Sequence, residues 1–206
     1  MSEAFEMVNP PDEIRVSMKM EAQKTQLGAA EMHGLKGLVS LTASQVDEDG
    51  RAPMEIVLVA DRSGSMAGDK IRIMRNMMHF LVKRALRTGD KLAIVAFDNE
   101  VTVPLRMTTI DAEGKGAAKA REAIHGIDDR GSTNLSGGLL RGISELNATQ
   151  CPPGTTRAIL LFTDGAANGG IQEPPAVAEA ITGAMRGRRT KVFTFGFGDD
   201  AEEEML

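Results

Sequence analysis

The sequence predicts an α/β fold, a doubly wound, mostly parallel sheet with helices on both faces and one antiparallel edge strand. Three observations predict it. Short apolar runs at Met54–Ala60, Asp90–Phe97 and Arg157–Phe162 have the length and composition of strands buried on both faces, and Lys191–Phe197 reads as a last strand. The segments between these runs carry apolar residues at helical spacing, so strand and helix alternate as parallel sheets require. Two of the runs end at an acid, Asp61 and Asp164, and sites in such sheets form outside the carboxyl ends of the strands.

A chain of 206 residues, 42% hydrophobic and 26% charged, is long enough to bury one sizeable core. A net charge of -5, with seven Phe and neither Trp nor Tyr, lacks the basic stripe and stacking aromatics of a nucleic-acid binder. Cys151 is the single cysteine and cannot form an intrachain disulfide, and the amino terminus has neither a basic nor an apolar secretory region. A cytoplasmic setting is therefore expected, with an extracellular surface as the alternative. No apolar run approaches the roughly 18 residues of a spanning helix.

Residues 1–13 are polar and contain Pro10-Pro11, and they read as a flexible leader. Ile14–Met20 alternates apolar and polar residues and Leu35–Leu41 is again strand-like, so residues 14–50 are expected to form a peripheral β segment and residues 51–206 the main domain. The acidic stretch Val46–Pro53 lacks the alternating acids and closing Glu of an EF-hand and reads as a solvated turn.

The first main strand is followed by Asp61-Arg62-Ser63-Gly64-Ser65-Met66, which places oxygen-bearing side chains at every second position, with Gly64 expected to provide a sharp turn. One carboxylate and two hydroxyls suit a hard cation such as Mg²⁺, Mn²⁺ or Ca²⁺. Asp69–Arg87 then has helical spacing, with Ile71, Met74, Met78, Leu81, Val82 and Ala85 on one face, and its methionines read as core rather than as a binding surface. Asp98-Asn99-Glu100 makes a tight turn into Val101–Leu105, a short antiparallel edge strand that accommodates Pro104. Lys115–Ile127 is a modest helix. The loop Asp128–Asn134 supplies further oxygens before the helix Leu135–Leu146; Gly131 gives it freedom to bring Thr133 toward another loop, and Ser132 or Asn134 can cap the helix. The strand Arg157–Phe162 ends in Thr163-Asp164-Gly165, and Pro174-Pro175 opens a helix to about Arg186.

If the strands carrying Asp61 and Asp164 are neighbours, two carboxylates and the hydroxyls of Ser63, Ser65 and Thr133 converge, and like charges so close call for a cation. At this point the stretch from Met54 to Gly198 resembles a von Willebrand factor type A domain, similar to integrin inserted domains. Asp61-x-Ser63-x-Ser65, Thr133 in Gly-x-Thr-Asn and Asp164 in Thr-Asp-Gly match that family's metal-ion-dependent adhesion site in order and strand context. The resemblance implies a Mg²⁺-preferring site in which Ser63, Ser65 and Thr133 are direct ligands and Asp61 and Asp164 act directly or through water. It also implies that an Asp or Glu of a partner protein completes the coordination. Leu38–Ala43 resembles the lead-in of intracellular members, some of which sit beside ubiquitin-ligase zinc domains. By the same resemblance the domain is expected to be truncated before its last helix, since only Ala201–Leu206 follows the final strand and its acidic turn.

The alternative is a metal-dependent hydrolase or phosphotransferase using Asp61 and Asp164. A haloacid-dehalogenase-like enzyme wants a second acid two residues after the first, where Ser63 stands. A phosphate-cradling loop wants a Lys before the helix, and a serine hydrolase wants Gly-x-Ser-x-Gly with a His base. His33, His79 and His125 all lie away from the strands' carboxyl ends. A non-enzymatic binding module is the expected function.

Overall fold

The computed structural model describes residues 16–22, 37–43, 51–165, 167–185 and 189–198. The chain divides into two units, Met1–Arg51 and Ala52–Leu206. In the first, β1 (Val16–Ala22) and β2 (Gly37–Ala43) form an antiparallel pair, with Val16 opposite Ala43. Both strands lie two residues later than the side-chain alternation suggested, because the ends of a strand are set by where its partner's backbone groups are available. The leader at 1–13, the intervening loop, residues 46–50 of the acidic turn and residues 199–206 lie outside the described residues.

The second unit contains β3 (Met54–Asp61), α1 (Asp69–Arg84), β4 (Lys91–Phe97), β5 (Val101–Thr109), α2 (Lys115–His125), α3 (Leu135–Asn147), β6 (Thr156–Thr163), α4 (Pro174–Met185) and β7 (Lys191–Gly196). The sheet order is β5-β4-β3-β6-β7. All pairings are parallel except β4 with β5, so the single antiparallel strand is at the edge. Successive residues of a strand face opposite sides of the sheet. Ile56, Leu58 and Ala60 of β3 accordingly join one core with Ile71, Met74, Met78 and Val82 of α1 and Ala120 and Ile124 of α2. Val57 and Val59 join a second core with Leu135, Leu139 and Ile143 of α3 and Val177 of α4. The sheet is thus covered on both faces. Met66, Met74 and Met78 are fully buried, so these methionines are packing residues.

Most boundaries fall within two residues of expectation, and three of the differences have a visible physical setting. Helix α1 ends at Arg84 rather than Arg87, because the Asp90 carboxylate accepts the Arg87 backbone N–H at 2.8 Å and draws the chain out of the helix. Strand β5 runs four residues beyond Leu105, its pairing with β4 carried past two register shifts that absorb the irregularity, while exposed Pro104 sits on the edge where no N–H is needed. Strand β7 stops at Gly196 and is more exposed than the central strands, although its Phe195 stacks on Phe162 at 5.0 Å between ring centroids.

Helix α3 lies close against the sheet. A Cβ on Gly138 would stand 2.5 Å from the Phe97 ring, so only glycine allows this approach at the end of β4. The approach brings the start of α3, and Thr133 with it, to the carboxyl end of the sheet.

Candidate functional site

Strands β3 and β6 are parallel neighbours with Ala60 level with Phe162, so Asp61, the last residue of β3, and Asp164, directly after β6, rise at the same end of the sheet. The condition left open by the sequence is met. Asp61 is fully buried, and its carboxylate accepts the Ser63 N–H at 2.8 Å and the Thr163 hydroxyl at 2.6 Å. Burial pushes its carboxyl above the ordinary aspartate range; the bonds from Ser63 and Thr163 pull the other way, and the charge of Asp164 adds to the push. A carboxylate held in this state favours a nearby cation.

The loop after Asp61 turns through a short 3-10 segment, Gly64–Met66, which sets the Ser63 and Ser65 hydroxyl oxygens 3.0 Å apart. Ser63 is buried and Ser65 exposed, so the pair spans from the interior to the surface. Gly64 is not in the left-handed region; its place in the site comes from its N–H, which donates to the Gly131 carbonyl at 3.0 Å. Gly131 does adopt a left-handed φ of 70°, and a Cβ there would stand 2.3 Å from Asn99 Oδ1. With the Arg130 N–H on the Arg62 carbonyl at 2.6 Å, these bonds fasten the Thr133 loop to the Asp61 loop.

Thr133 is buried, and its backbone N–H donates to Asn168 Oδ1 at 2.6 Å while its carbonyl accepts from the N–H groups of Asn168 and Gly169. The segment after Asp164 therefore grips the Thr133 loop. Asn134 caps α3 by accepting the Gly137 N–H at 3.0 Å, so capping and site-building occur in one loop. Asp164 is buried and accepts the Lys70 ammonium at 3.1 Å. The structure thus brings the loops bearing Asp61, Ser63, Ser65, Thr133 and Asp164 together at one end of the sheet.

Three further residues escape a reading of the sequence alone. Lys70, in the first turn of α1, brings a positive charge to Asp164. Asp98, expected as part of a turn, is a buried post that binds Arg62 at 2.7 Å and Arg130 at 3.0 Å, and its carbonyl receives the Asn134 N–H. Asn168 anchors Thr133. For Lys70, the available signal is its position one turn after the Asp-x-Ser-x-Ser loop. His79, away from the site, is partly buried; burial, then His125, Arg121 and Arg75, hold its pKa below the ordinary histidine value.

As a donor set, two buried carboxylates with hydroxyl oxygens fit a hard divalent cation. Among the described residues no group of three or more His, Cys, Asp or Glu side chains gathers in a way that could hold a metal. The fit is to an oxygen site rich in hydroxyls, rather than to a thiolate or imidazole centre.

The family model for the von Willebrand factor type A domain matches residues 55–206. The chain belongs to that family. The vWA domain is 33% identical over 158 residues to the inter-alpha-trypsin inhibitor heavy chain H3 of Mesocricetus auratus, covering 75% of this chain and 18% of that relative. It is 30% identical over 158 residues to heavy chain H4 of Homo sapiens, covering 75% and 17%. The chain therefore spans less than a fifth of the length of these relatives. Its fold is shared with the von Willebrand factor type A protein from Catenulispora acidiphila, at a TM-score of 0.61 and 21% identity over 93% of this chain and 42% of that one. It is also shared with the manganese-loaded TRAP protein of Plasmodium vivax, at a TM-score of 0.58 and 14% identity over 94% and 65%. No helix among the described residues of the vWA domain is long and apolar enough to cross a membrane.

Proposed function

We propose that this vWA domain is a divalent-cation-dependent protein-interaction module. In this reading Asp61, Ser63, Ser65, Thr133 and Asp164 hold one Mg²⁺, or Mn²⁺ or Ca²⁺ in its place, as a metal-ion-dependent adhesion site, and an Asp or Glu of a partner protein completes the coordination. The observation that carries it is the buried Asp61 carboxylate, held by neutral donors beside Asp164 and next to the paired Ser63 and Ser65 hydroxyls. When bound, the cation would supply an electrophilic point for an anionic side chain. The chain's own residues position the ligands: Thr163 and the Ser63 N–H orient Asp61, Asn168 orients the Thr133 loop, and Lys70 lies against Asp164 until displaced. The family membership and the manganese in the structurally similar TRAP protein support the reading. A binding role is preferred over a hydrolase or phosphotransferase because Ser63 occupies the position where a second catalytic acid is wanted.

The division into a leader at 1–13, an accessory β segment at 14–50 and the interaction module at 51–206 belongs to the same proposal. So does location. The similarity to inter-alpha-trypsin inhibitor heavy chains favours the extracellular alternative over the cytoplasmic one, and the proposal does not extend to a ubiquitin-ligase setting. The test is Mn²⁺ titration followed by electron paramagnetic resonance. Wild type is expected to bind one ion and Asp61→Ala none; equal behaviour of the two proteins sinks the assignment.

A further inference from the structure

At the opposite pole, outside the amino ends of β6 and β7, lies a cavity of about 740 Å³. Its wall includes Thr149, Cys151, Thr155, Arg157 and Arg189, and among the described residues its charged members are the two arginines. Arg157 is 4% exposed. Its Nη2 donates to the Leu146 carbonyl, and its Nε lies 3.2 Å from Glu55 Oε2 in an ion pair without making a hydrogen bond. Its Nη1 is buried without a hydrogen-bond partner, and so is the Thr155 hydroxyl two residues earlier in the same wall.

Buried polar groups are paired with few exceptions, and two orphaned donors on one wall mark a place that an acceptor completes. The charge nearby selects which acceptor. Glu55 is shared between Arg157 and Lys91, the latter at 2.9 Å, so the carboxylate that faces Arg157 is divided between two cations and leaves its guanidinium only partly neutralised. The carboxyl end of α3 would repel an anion, but its Leu146 carbonyl is already covered by Arg157 and by the Thr149 hydroxyl. We propose that this cavity binds a small oxyanion, a carboxylate or phosphate group, through Arg157 Nη1 and Thr155 Oγ1, with Arg189 closing over it. Guanidinium donors match the oxygens of both groups.

Cys151, the only cysteine of the chain, is exposed in the same wall and reports on occupancy. The full chain in EDTA is alkylated with neutral iodoacetamide in inorganic phosphate, in succinate, or in sodium chloride at matched ionic strength, and its melting temperature is read under the same conditions. Phosphate or succinate, whichever is the preferred chemistry, is expected to slow alkylation or raise the melting temperature relative to chloride. At about twice the dissociation constant the free cavity falls about threefold, which sets the size of the slowing. Thr155→Val and Arg189→Ala, chosen because Arg157 also supports the fold, should each weaken the effect. Identical rates and melting temperatures in all three salts, the behaviour of a cavity filled by water alone, overturn the proposal. An anion effect undiminished in both variants overturns it as well.

Discussion

Both ends of the main sheet collect buried charge, and they treat it differently. At the amino end Glu55 lies in register between Lys91 on one neighbouring strand and Arg157 on the other, paired with both and accepting the Thr149 hydroxyl too. Asp90 accepts the N–H groups of Met54 and Arg87. At the carboxyl end Asp98 is treated likewise by Arg62 and Arg130, but the hydrogen-bond donors to Asp61 are the neutral Ser63 N–H and Thr163 hydroxyl. Glu55 and Asp98, with cationic partners, serve the scaffold. Asp61, bonded by neutral donors, costs stability in a way that a bound ligand would offset.

The comparison predicts opposite signs for two isosteric substitutions. Glu55→Gln removes the anion that Arg157 and Lys91 share and leaves a buried guanidinium uncompensated, a loss of about 3 kcal/mol on the scale of broken buried pairs. For a domain of this size the melting temperature should fall by about 6–12 °C. Asp61→Asn relieves an uncompensated buried charge and should stabilise the cation-free protein on the order of 1 kcal/mol. Thermal melts in EDTA decide it. Loss in both variants would show that Asp61 is as structural as Glu55, and the distinction between the ends would fail. Excess Mg²⁺ sharpens the test, because it should raise the melting temperature of wild type and leave that of Asp61→Asn where it was.

The same contrast explains what the sequence revealed. Strands β3, β4 and β6 were legible because both of their faces are buried, so their apolar runs are nearly unbroken. Asp61, Ser63, Ser65, Thr133 and Asp164 were legible because each follows a strand or precedes a helix in a short local motif. In the sequence Glu55 is one charged residue inside the apolar run Met54–Ala60, and Arg157 is the first residue of the expected strand. Their meaning appears only when β3 pairs with β6 and the two residues fall opposite each other. Lys70, Asp98 and Asn168 escaped for the same reason, since each acts on a partner brought near by folding. The end of α1 depended on Asp90 capturing the Arg87 N–H, and the length of β5 on bulges that periodicity does not encode.

The smallest expected effect concerns Asp98, the carboxyl-end acid that, like Glu55 at the amino end, has two cationic partners. Burial alone would raise its pKa, but the Glu100 N–H at 2.6 Å, with Arg130 and Arg62, outweighs burial and holds the carboxyl below the ordinary range. The unfolded chain titrates this group near pH 3.9, so the folded state binds its proton less readily. Its contribution is therefore fully present above about pH 4 and is lost as pH falls from there through the lower folded value. Asp98→Asn lowers stability at neutral pH by breaking the pairs with Arg62 and Arg130, but any structural residue would do that. The distinguishing result is the slope: urea midpoints of the cation-free protein should fall less steeply below about pH 4 in Asp98→Asn than in wild type. Asp111, held below the ordinary range mainly by the N–H groups of Gly116 and Lys115, leaves some acid sensitivity in either protein. Parallel acid limbs would mean that Asp98 gains nothing from its arginines and stands with Asp61 instead of with Glu55.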